Sequence, residues 1–91
     1  MKKQLAPIHP GKILAEDLRE AGISMNQLGE ALRVPMNRIS AIVNGKRGIT
    51  ADTALRLARY FGTSAQVWMN LQMNYELIDA DYKRIRRVGP T

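Results

Sequence analysis

The chain has no cysteine, one histidine, one tryptophan and one phenylalanine in 91 residues. Without thiols it can hold neither a disulfide framework nor a thiolate metal site. The single histidine, His9, has no carboxylate cluster beside it, so zinc ligation and acid–base catalysis both lack their second member. A histidine just ahead of a helix reads instead as a cap or a packing residue. No apolar run approaches the ~18 residues of a membrane-spanning helix, and no signal-peptide pattern opens the sequence. Missing too is the strand-rich pattern of a small basic ribonuclease, and the arginines fall on convex helical faces rather than around a cleft. These absences argue against an enzyme, a cofactor, a metal and a membrane, and leave a cytoplasmic location as the default expectation.

What is present fits a single all-α domain spanning residues 1–91. The hydrophobic content of 45% supports one modest core, and 24% charged residues exclude a membrane or strongly disordered class. The net charge of +6 is unevenly laid out. Residues 1–32 are balanced, while residues 33–59 carry Arg33, Arg38, Lys46, Arg47, Arg56 and Arg59 against Asp52 alone. Residues 60–82 are acidic, and the tail is basic again through Lys83, Arg84, Arg86 and Arg87. Cations concentrated on one central stretch favour a polyanionic partner.

That stretch contains the organising motif, residues 24–45. Ser24 is an N-cap residue, and Leu28, Ala31 and Leu32 recur at helical spacing, with Gly29 among them for a close helix approach. Arg33-Val34-Pro35 turns the corner. A second helix directs Ile39, Ile42 and Val43 inward and Met36, Asn37, Arg38, Ser40 and Ala41 outward, and Asn44-Gly45 ends it. Two helices joined this tightly must cross steeply, the helix-turn-helix arrangement whose second helix enters the DNA major groove. Amides, a hydroxyl and a guanidinium on the outer face are groups that bond base edges and phosphates. An ordinary helical hairpin with a solvated outer face is the plain alternative.

Three more helices flank the motif. The first is expected at about Lys12–Ala21, with Ile13, Leu14 and Leu18 inside and Glu16, Asp17, Arg19 and Glu20 outside. Ahead of it, Leu5 and Ile8 are expected to pack an irregular opening against the body. Lys46-Arg47-Gly48 forms a loop suited to clamping a phosphate, with Gly48 allowing close backbone approach. Thr50 then caps a helix whose stripe is Ala54, Leu57, Ala58 and Phe61, stapled by Ile49. After Gly62 and a Thr63-Ser64 cap, the fifth helix runs to about Asp79. Val67, Trp68, Leu71, Tyr75 and Ile78 make one apolar stripe, and Met69, Met73 and Leu77 a second. A domain this small cannot bury both, so the surplus stripe is expected to form a homodimer. Trp68 reads as core rather than a ligand-stacking residue. The tail, residues 80–91, reads as a basic arm or a short strand from Tyr82 to Val88.

The run from Ser24 to Gly45 followed by KRGITADTALRLARYFGTS resembles the Cro/lambda-repressor class of helix-turn-helix proteins. With HPGKIL at 9–14, MNRISAIVNGKRGIT at 36–50 and WMNLQMNYEL at 68–77, the resemblance narrows to the HigA/VapI family of antitoxins. It implies a five-helix domain that dimerises, binds a palindromic double-stranded operator, represses its own operon and neutralises a RelE-like, RNA-cleaving toxin of the HigB type. A plain transcriptional repressor without a toxin partner is the alternative. Met25 stands where many relatives have a phosphate-contacting glutamine, so Asn26 or Gln27 would supply that contact. Arg33 stands where glycine is frequent. The expected DNA-binding set is therefore Asn26, Gln27, Met36, Asn37, Arg38, Ser40, Ala41, Lys46 and Arg47. Glu16, Asp17 and Glu20 read either as a docking patch for a basic toxin or as a solvated face near a favourable helix N-terminus.

Overall fold

Polar caps and left-handed stops divide the chain into five helices. The computed structural model describes residues 7–83. Its elements are α1 (Pro10–Ala21), α2 (Met25–Leu32), α3 (Met36–Val43), α4 (Ala51–Phe61) and α5 (Ala65–Lys83), with no strand among the described residues. His9 caps α1, its Nδ1 accepting from the Gly11 N–H at 2.9 Å. Pro10 then fits the first helical position, where its missing N–H has no intrahelical partner to lose. The helix thus starts two residues earlier than the sequence reading placed it.

Ser24 and Gln27 form a reciprocal capping box on α2. The Gln27 N–H donates to Ser24 Oγ at 3.0 Å, and the Ser24 N–H donates to Gln27 Oε1 at 2.8 Å. Thr50 caps α4 through the Thr53 N–H, and Ser64 Oγ accepts the Val67 N–H at 3.3 Å in α5. The left-handed residues Gly22 and Gly62 stop α1 and α4, and Gly45 follows the C-cap of α3. Arg33 does the same for α2 at φ 62°, without glycine's freedom, which incurs roughly 1 kcal/mol of strain.

These ends aim the helices at one core. Leu14, Leu18, Leu28, Leu32, Val34, Ile39, Ile42, Ile49, Ala54, Leu57 and Trp68 pack together, drawn from every helix. Truncating one of the fully buried leucines or isoleucines to alanine would cost about 2–5 kcal/mol. The motif helices α2 and α3 pack on each other, α1 rests on α3 and α5, and α4 rests on α5 and α2. Contact is closest at Gly11, where a Cβ would fall 1.9 Å from the Ile42 carbonyl oxygen. Gly29 similarly lets α2 meet Val34 and Met36 at the corner.

Several expected positions differ. Ala31 is exposed, because the eight-residue α2 buries only Leu28, Gly29 and Leu32. In α5, Val67 is half exposed while Met69 packs against the core. The inward stripe runs through Ala65, Trp68, Gln72 and Tyr75, so Val67 is carried off it and Met69 is brought alongside. Met73 and Leu77 do lie outward, at 50% and 64% exposure. The helix continues through Lys83, which removes the option of a strand beginning at Tyr82. Leu5 and residues 84–91 of the basic tail lie outside the described residues.

Candidate nucleic-acid interface

The candidate surface is the outer side of α3 with the loop that follows it. Asn37, Ser40, Ala41 and Asn44 fall at i, i+3, i+4 and i+7, opposite the buried Ile39 and Ile42. Asn37 is exposed, and Ser40 and Ala41 are half-buried on this face. Met36 opens the helix at 41% exposure. Asn44 donates its Nδ2 to Ser40 Oγ at 3.3 Å, which orients the hydroxyl. Reading Asn44 only as the end of a helix missed it as a member of this face; the i+7 spacing from Asn37 was the available signal.

Arg38 is the residue that moves furthest from its expected placement. It does not stand free beside Asn37 but turns towards α4, where its Nη1 donates to Asp52 Oδ2 at 3.1 Å. Its side chain is only 26% exposed. The same Asp52 oxygen accepts from Arg56 Nε at 3.0 Å, and Arg56 Nη1 donates to the Leu32 carbonyl at 2.8 Å. Hydrogen bonding from Arg56, reinforced by the charges of Arg56 and Arg38, holds the Asp52 carboxyl below its usual range. Beside this chain of contacts, Arg33, Leu55, Arg56, Arg59 and Tyr60 line an open groove of about 490 Å³.

The Lys46-Arg47-Gly48 loop is braced by α3 and α5. The Lys46 N–H donates to the Ala41 carbonyl at 2.8 Å and the Gly45 N–H to Ile42 at 3.0 Å, a Schellman closure on α3. Gln72 of α5, itself buried, accepts the Ile49 N–H on Oε1 at 2.7 Å and donates Nε2 to Glu76 at 2.8 Å. His9 packs beside Gly45 and meets the Tyr75 ring edge-on at 4.8 Å; burial lowers its pKa below the ordinary 6.5. Gly48 proves to be the space Gln72 needs, since a Cβ there would sit 2.8 Å from Nε2. The close approach expected of Gly48 is therefore to a side chain of α5. Lys46 and Arg47 stay exposed on this fixed backbone.

Asn26 is exposed at the second position of α2, and Gln27 beside it spends its carbonyl on the capping box while its amide N–H groups remain donors. The acidic trio sits apart. Glu16 and Glu20 are exposed, Asp17 is half-buried, and all three lie in the second half of α1 with no acid in its first turn. The helix dipole therefore gives them no support, contrary to the expected favourable end. Burial first, then Glu20 and Glu16, pushes the Asp17 carboxyl up. Among the described residues no three of His, Cys, Asp and Glu converge to hold a metal, and no helix is long and apolar enough to cross a membrane.

A short corner, an amide-bearing outer helix and a braced basic loop together define a DNA-binding helix-turn-helix unit. The helix-turn-helix family profile matches residues 14–68. Virulence-associated protein I of Dichelobacter nodosus is 53% identical over 77 residues, covering 84% of this chain and 71% of that protein. An addiction module antidote protein of the HigA family from Coxiella burnetii superposes with a TM-score of 0.88 at 49% identity, over 96% of this chain and 100% of the other. Pseudomonas aeruginosa antitoxin HigA, solved with the higBA promoter, gives 0.87 at 48% identity over 90% of each chain. The chain belongs to the HigA/VapI family of helix-turn-helix antitoxins.

Proposed function

We propose that this chain binds a palindromic operator as a homodimer, represses its own operon, and neutralises a HigB-type mRNA-cleaving toxin. The observation that carries the DNA reading is the outer face of α3 joined to the exposed Lys46 and Arg47 on a loop held by α3 and α5. The promoter-bound Pseudomonas relative supports it at 48% identity. In this reading Met36, Asn37 and Ala41 face base edges, Met36 packing on a thymine methyl, and Arg38 reaches a base edge from beside that face while bonded to Asp52. Asn26, Gln27, Ser40, Lys46 and Arg47 hold phosphates.

The homodimer rests on α5, whose Met73 and Leu77 lie exposed, with Met69 contributing from the rim of the core. A two-fold pair would set its α3 helices about 34 Å apart, one turn of DNA. The acidic Glu16, Asp17 and Glu20 would steer a basic ribonuclease, leaving the DNA face free. The intracellular setting follows from a DNA partner. The experiment is a salt-titrated promoter-binding assay with co-expression of the neighbouring genes. Lys46→Ala should weaken all duplexes alike and flatten the salt slope by about one unit, whereas Asn37→Ala should weaken the promoter selectively. If both bind like wild type, the DNA face is wrong. If no neighbouring protein is captured or neutralised, the plain repressor reading replaces the antitoxin.

A further inference from the structure

We propose that Asp52 is a positioning residue for operator specificity: its carboxylate holds Arg38 in one pose beside the reading face and keeps it off phosphates. The inference rests on the DNA face proposed above and adds to it a residue of α4, outside the motif.

The geometry gives the carboxylate the directing role. One oxygen of Asp52 takes both Arg38 Nη1 at 3.1 Å and Arg56 Nε at 3.0 Å. Arg56 is in turn fastened to the Leu32 carbonyl, one of the last carbonyls of α2 and so without a partner inside its own helix. The carboxylate is thereby fixed to the backbone of the motif through Arg56, and Arg38 is fastened to the carboxylate. Its Nε is buried with no partner, and Nη2 makes no hydrogen bond among the described residues. One arm of a planar fork is held while the other keeps its donors, the arrangement that can present two N–H groups to guanine O6 and N7.

Charge supplies the second half. A free arginine beside a duplex settles on the nearest phosphate whatever the sequence. Sharing one carboxylate that is itself 57% exposed, Arg38 and Arg56 together offer phosphates one net positive charge instead of two. It gains most where a base edge accepts its remaining donors. Asp52 therefore lowers affinity for DNA in general and raises the contrast between sequences.

The test uses the full chain, the duplex that the wild-type protein selects from a random pool, and an unrelated duplex of equal length. Asp52→Ala should tighten binding to the unrelated duplex several-fold and steepen its salt slope by about one unit. The selected-to-unrelated affinity ratio should fall about tenfold. Asp52→Asn keeps an acceptor without the charge, so it should tighten general binding and lower the ratio about threefold, less than the alanine variant. In an Arg38→Ala background, Asp52→Ala should leave the ratio within about twofold, because the group it positions is gone. Thermal melts separate misfolding from mispositioning, and Asp52→Asn serves where the alanine variant does not fold. An equal loss on both duplexes, or the same fall in ratio without Arg38, overturns the inference. Asn37→Ala and Lys46→Ala distinguish the two levels: if they weaken binding while the Asp52 and Arg38 effects simply add, the DNA face stands and only the positioning role is lost.

Discussion

Replacing Gln72 with methionine should destabilise the fold measurably although volume and helix propensity barely change. The amide oxygen is the acceptor for the buried Ile49 N–H at 2.7 Å. Methionine fills the same space beside Gly48 but leaves that N–H unsatisfied, at about 1–3 kcal/mol. The second bond, Nε2 to Glu76, is only partly buried, so removing it alone with Glu76→Ala should cost no more than about 0.5 kcal/mol. For a domain of this size the methionine variant should melt roughly 5–20 °C lower, and its urea midpoint should fall with the m-value unchanged. Amide exchange supplies the local readout: the Ile49 N–H should lose protection beyond that expected from global stability. The reasoning fails if Gln72→Met is as stable as wild type, or if Glu76→Ala is equally damaging.

Arg33→Gly should raise stability by no more than about 0.5 kcal/mol in urea unfolding, since relief of the left-handed strain at φ 62° slightly exceeds the added entropy of the unfolded chain. Met73→Glu should sediment as a monomer with much-reduced operator affinity; a wild-type chain that is monomeric at tens of micromolar yet binds DNA tightly would exclude an α5 dimer. Because His9 is held neutral below its ordinary 6.5, the unfolded chain takes up its proton first as pH falls. Stability should accordingly decline from about pH 6.5 downward, and His9→Ala should flatten that part of the pH profile.

The four shorter helices were legible because their ends are written in residues with single purposes: Ser24, Thr50, Gly22, Gly45 and Gly62. The fifth was harder for two reasons. Asp79, Ala80 and Asp81 carry no stop signal, so the change of charge at the tail was mistaken for a boundary while the helix continued to Lys83. Its inward face also passes through Gln72, and a hydrophobic pattern breaks at a polar residue even when that residue is buried and bonded. Hence Val67 was placed inside and Met69 outside. On the candidate site, outward positions followed from helical period alone, and Asn37, Ser40 and Ala41 share the face expected of them. Arg38 did not, because its direction depends on Asp52, fourteen residues on, and no local spacing encodes that pairing.

The face of Asn37, Ser40, Ala41 and Asn44 bears no charged side chain of its own, while Lys46 and Arg47 carry theirs on a separate turn braced by α3 and α5. Under the proposed function, grip and reading therefore fall on separate elements. On that proposal, substitutions on the α3 face should retarget the protein to a new operator without altering how strongly it responds to ionic strength. Changes in the turn should retune that response without altering which sequence is preferred. Operator choice could then change by substitution on α3 while the response to salt stays as the turn sets it.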